Sequence, residues 1–133
     1  MTPFDLRTTF VVLDPGLAAT QMAVGPALYE ELDTRFSGFR QCLLVAEYVF
    51  DRDWPTWEIH PAGDEILYLL EGAAELRLRV DGETRVVPFD RPGASVIIRR
   101  GTWHTARIAT RARMLFITPG EGTVNAIEPG PQA

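Results

Sequence analysis

The chain has two histidines, His60 and His104, and each lies in a stretch patterned as a β-strand. Two imidazoles with a carboxylate nearby are the ligand type for a borderline divalent metal. Glu58 and His60 stand two apart, so on a strand they project from the same face. Pro61-Ala62-Gly63-Asp64 reads as a turn that brings Glu65 to the start of the next strand, close to His60. Arg99-Arg100-Gly101-Thr102 reads as a second turn, which delivers His104 at the head of another strand. His60, Glu65 and His104 would together form a facial triad with open positions for water, substrate or dioxygen.

Glu58 has three readings. It is a fourth metal ligand, a group that orients a metal-bound water, or a catalytic general base. A buried carboxylate without a cationic partner is costly, which argues for an ion in the pocket. The competing reading is a barrel that keeps the fold and holds no ion, because a strand histidine is more often structural than ligating.

The surrounding elements are short. TTFVVL (8–13) and TQMAV (20–24) read as strands, and Gly25-Pro26 opens a helix with Pro at its first position. Leu28, Leu32 and Phe36 give that helix one apolar face, and Ser37-Gly38 ends it. FRQCLLVAEYVF (39–50) reads as a long strand, followed by 54–60 and 65–71. AELRLRV (74–80) alternates apolar and charged, Asp81-Gly82 is a hairpin turn, and 83–87 returns. Strands at 95–99, 103–109 and 113–118 complete the set, and the tail 120–133 is expected to lie on the surface without regular structure. By parity Leu67, Leu69, Ala106 and Ile108 face inward. Trp57, Tyr68 and Trp103 face outward, against the N-terminal segment or a second subunit. The inward set suits a small, partly apolar ligand.

With these residues placed, EIHPAGDEILYLLEG (58–72) resembles the first motif of the cupin superfamily. His60, Glu65 and Gly72 match it in type and spacing. Glu58 stands where that motif has its first histidine, and Arg52 where it has a glycine. Gly93, Gly101 and His104 match the second motif, whereas Arg99 replaces its proline and Ile108 its asparagine. The resemblance covers about residues 39–118. It implies an all-β fold, the cupin β-barrel (double-stranded β-helix, or jelly roll), here with a short N-terminal helix. Residues 1–38 would be strands and helix packed on the barrel or on a partner subunit, 39–119 the barrel, and 120–133 a tail. The family habit implies a homodimer and a pocket metal, iron first, with manganese, nickel or zinc as alternatives.

Composition narrows the classes. A net charge of −5 argues against a nucleic-acid partner. No apolar run reaches membrane-spanning length, and no basic start precedes an apolar stretch, so neither a membrane partner nor a signal peptide is expected. All thirteen basic residues are arginines, which excludes a Schiff base on lysine. Cys42 is the single cysteine; it reads as a small buried residue in a reducing cytoplasm. The expected function is therefore a metal-dependent enzyme on a small-molecule substrate, a non-haem iron dioxygenase first. The alternatives are a non-oxidative isomerase or lyase, and a non-catalytic ligand-binding or sensor protein.

Overall fold

The computed structural model describes residues 1–131 as two antiparallel sheets and one helix. The strands are β1 (Thr9–Leu13), β2 (Ala19–Ala23), β3 (Leu43–Phe50), β4 (Trp57–Ile59), β5 (Glu65–Gly72) and β6 (Ala74–Val80). They continue with β7 (Glu83–Phe89), β8 (Ser95–Ile98), β9 (His104–Arg107), β10 (Ala112–Thr118) and β11 (Val124–Ala126); helix α1 spans Leu28–Arg35. The six-stranded sheet runs β2-β1-β3-β10-β5-β8 and the five-stranded sheet β11-β4-β9-β6-β7. Alternation drives the pairing of these faces: Leu67, Leu69, Met114 and Phe10 from the first sheet meet Leu76, Ala106 and Phe89 from the second in one buried core. This is the expected all-β jelly roll with one short helix.

Inward and outward positions follow the expected parity for Leu67, Leu69, Ala106 and Ile108, all buried. Cys42 is buried as well. Helix α1 presents Leu28 and Leu32 to the core, carries Glu30 and Glu31 in its first turn and Arg35 in its last, and so agrees with its own dipole. The Tyr29 hydroxyl meets that of Tyr48 on β3. Among the described residues no helix is long and apolar enough to cross a membrane.

Four expectations need correction. The helix begins at Leu28, two residues after Pro26. The strand expected from residue 39 begins at Leu43, because Phe39 (φ 58°) and Gln41 (φ 56°) are left-handed and cannot continue a ladder. The tail is not wholly irregular: β11 pairs with β4, aligning Val124 with Ile59 and Ala126 with Trp57. Its last two residues, 132 and 133, lie outside the described residues. Trp103, expected against the N-terminal segment or a second subunit, is instead buried beneath this tail. Its indole nitrogen donates to the Pro131 carbonyl at 3.0 Å.

Candidate metal centre

Two turns and three strands bring the chemistry together. Glu58 on β4 lies directly across from His104 on β9, the single registered pair joining those strands. His60 follows β4, and Glu65 opens β5. The turns are tied to each other. Asp64 accepts from the Arg100 amide at 2.7 Å and from the Arg99 guanidinium at 3.1 Å, and the Gly101 amide donates to the His60 carbonyl at 3.0 Å. Arg99, at the position of the motif's proline, thus braces the turn by an ion pair. Gly72 is required where it stands: its φ is 77°, and a Cβ there would lie 2.0 Å from the Arg111 carbonyl oxygen.

All four sequence-designated residues converge. The His60 Nε2 atom lies 3.2 Å from Glu65 Oε2 and 3.4 Å from Glu58 Oε2, and His104 Nε2 lies 3.2 Å from Glu65 Oε1. One ligand atom each from Glu58, His60 and His104 fall within 4.8 Å of one another. His104, Glu65 and His60 are buried, at 0, 2 and 4% exposure, whereas the Glu58 side chain is 33% exposed and marks the open side.

The outer atoms of these groups are anchored. His104 Nδ1 faces the Thr102 carbonyl at 3.0 Å, His60 Nδ1 faces the Thr123 hydroxyl at 2.8 Å, and the Thr118 hydroxyl donates to Glu65 Oε2 at 2.6 Å. A carbonyl can only accept, so His104 carries its proton on Nδ1 and, when neutral, turns a bare Nε2 lone pair toward a carboxylate oxygen. Sequence reasoning missed all three anchors. Thr118 and Thr102 border expected strands, but nothing local marks Thr123, which β11 brings back from 63 positions away.

His60 Nε2, His104 Nε2 and Glu65 Oε1 are buried with no hydrogen-bond partner, although they stand at charge-pair distances. Buried polar atoms are nearly always satisfied, and two lone-pair donors and a carboxylate oxygen aimed at one point are satisfied by a cation. The donor set therefore fits a divalent metal. Without one, a proton does part of that work. Burial works against the His60 imidazolium, but the Glu58 and Glu65 carboxylates outweigh it and hold its pKa up at about 9. Burial pushes the Glu65 carboxyl up, and the His104 and His60 rings more than reverse this, bringing it to about 2.

An aromatic wall adjoins the cluster. The Trp54 ring lies 6.3 Å from that of His104, 5.3 Å from Phe50 and 5.9 Å from Phe116, and Tyr48 packs on Phe50 and Phe116. Trp54 Nε1 is buried and has no partner.

The family described as Cupin domain matches residues 51–118. No curated protein matches the sequence. Among solved structures, an oxalate oxidase is similar at 22% identity and a TM-score of 0.53, over 62% of this chain and 45% of that one. A deletion mutant of Bacillus subtilis oxalate decarboxylase is similar at 16% identity and TM-score 0.53, over 63% and 23%. The cysteine peptidase peruvianin-I from Thevetia peruviana latex is similar at 17% identity and TM-score 0.52, over 62% and 54%. The chain spans less than half the length of the two oxalate enzymes it resembles. At such identities the likeness is one of fold, and the three named activities differ.

Proposed function

The chain belongs to the cupin domain family, and on that premise we propose that it is a metal-dependent enzyme acting on a small organic molecule, with non-haem iron dioxygenase as the leading reading. The observation that supports it most directly is the convergence of three partnerless atoms, His60 Nε2, His104 Nε2 and Glu65 Oε1, on one buried point. His60, His104 and Glu65 would hold the ion, and Glu58 would complete the set or stay free beside it. When bound, a divalent iron supplies Lewis acidity and a seat for dioxygen.

The chain's own residues do the remaining work. Thr102, Thr123 and Thr118 orient the two imidazoles and the Glu65 carboxylate before any ligand arrives. Phe50, Trp54 and Phe116 exclude water from one side, and the Trp54 N–H is free to meet a substrate acceptor. Glu58, on the open side, holds or takes a proton at its carboxylate.

That exposed position of Glu58, next to His60, also favours a second reading. A zinc, manganese or nickel site would then support isomerase or lyase chemistry, with Glu58 moving the proton.

The deciding experiment is elemental analysis of protein purified without added metal, alongside His60→Ala and His104→Ala, with oxygen uptake measured across small organic substrates. Near-stoichiometric iron, lost in both variants, is the expected result. Zinc, manganese or nickel lost in the same way selects the second reading. No metal, with both variants as stable as the parent, overturns the enzyme assignment.

A further inference from the structure

The two sheets differ on their outer faces. On the five-stranded sheet, β6 alternates apolar and charged residues, and Glu75, Arg77, Arg79 and Arg107 face solvent, as expected of a wetted face. On the six-stranded sheet, β3 (LLVAEYVF) and β10 (ARMLFIT) are apolar at nearly every position, the pattern of strands covered on both sides.

Register shows what this exposes. Val11 on β1 pairs with Val45 on β3, Val45 with Ile117 on β10, Ile117 with Ile66 on β5, and Ile66 with Ile97 on β8. Five β-branched residues from five consecutive strands thus form one uninterrupted row on the outside of the barrel. The paired Leu13 and Leu43 flank it on one side, Leu115 and Tyr68 on the other. Ile66 is 39% exposed and Ile97 51%. Apolar surface this continuous marks an interaction site.

We infer that the outer face of the six-stranded sheet is the surface on which a second copy of this chain docks. Charge selects that occupant. The chain carries −5 overall, so two copies repel unless they meet over a face without net charge. The row itself is uncharged. The border beyond it carries both signs already paired: Arg113 with Glu47 and Glu71, Arg111 with Glu71, and Arg7 with Asp5. A two-fold axis sets such a mixed border against its own reverse, which brings unlike charges together as readily as like ones. Size agrees as well. Six strands about 4.8 Å apart and up to eight residues long at about 3.4 Å each give a face of about 800 Å², what each partner of a standard interface contributes.

The test is sedimentation equilibrium of the full chain across a dilution series, for the parent, Ile66→Arg, Ile97→Arg and Val86→Arg. Val86 is a comparably exposed aliphatic on β7, at 51%, and serves as the control on the other sheet. The parent is expected at twice its 14.8 kDa mass, with dimerisation weakened about tenfold or more in each isoleucine variant and unchanged in Val86→Arg. Circular dichroism and retained metal binding report that the variants are folded, so loss of the dimer is read apart from loss of the fold. A monomeric parent at every concentration overturns the inference and leaves the face to another occupant. A dimer that survives both isoleucine substitutions but is lost in Val86→Arg overturns it too.

Discussion

His60 and His104 are held by different kinds of partner. The Thr102 carbonyl fixes one proton position on His104, whereas the Thr123 hydroxyl serves His60 as donor or acceptor. Thr123→Val is therefore expected to lower metal affinity about 10- to 100-fold, read by titration calorimetry, while costing only about 1 kcal/mol of folding stability. An unchanged affinity would show that His60 needs no such anchor. Protonation supplies a second expectation. His60 keeps its proton to about pH 9 in the metal-free fold but to its ordinary 6.5 in the unfolded chain. Its contribution to stability is full below pH 6.5 and lost as pH rises through 9. Glu65 runs the other way, from an ordinary 4.5 down to about 2: its contribution is full above 4.5 and lost as pH falls towards 2. The urea midpoint of metal-free protein should thus peak between about pH 4.5 and 6.5, and a flat profile from 6.5 to 9 would contradict the charge pairing. His60, Glu65 and Glu58 were legible in the sequence because short-range spacing and one turn place them. Thr123 was not, because only strand pairing brings it there.

The turns and strands that carry these residues are held by a few backbone necessities. Gly72 closes β5 with a left-handed φ and against the Arg111 carbonyl. Gly72→Ala is expected to destabilise the fold by about 3 kcal/mol or more, measured by chemical unfolding, since strain and overlap both apply. A loss below about 1 kcal/mol would mean that the β5 end shifts freely. Element type was readable wherever alternation or a turn dipeptide spoke, as in β6 and Asp81-Gly82. It failed at residues 39–42, where left-handed backbone at Phe39 and Gln41 breaks an otherwise strand-like composition. It failed again at β11, three residues long, whose reason to be extended is the β4 edge it joins and not its own pattern.

At the scale of the molecule, one core serves both sheets, and the fold was foreseeable from many short strands with turn residues between them. The difference between the outer faces was foreseeable too, in the unbroken apolar text of β3 and β10, but its meaning needed register. Only pairing shows that Val11, Val45, Ile117, Ile66 and Ile97 stand in one row. Metal loading is likewise a property of the whole. An ion bound only by the folded chain stabilises it by about 2.7 kcal/mol when present at about one hundred times its dissociation constant. Chelation should therefore lower the thermal midpoint, and His104→Ala should abolish that response.

The contact of Trp54 with His104, at 6.3 Å between rings, also gives the protein an optical reporter of its own. Of the three tryptophans, Trp57 lies on the outer side of β4 and Trp103 beneath the tail, so Trp54 alone stacks beside a site imidazole. A paramagnetic ion drains an excited indole steeply with distance. Iron or manganese taken up at the site should dim one part of the emission, zinc should leave it bright, and Trp54→Phe should erase the contrast.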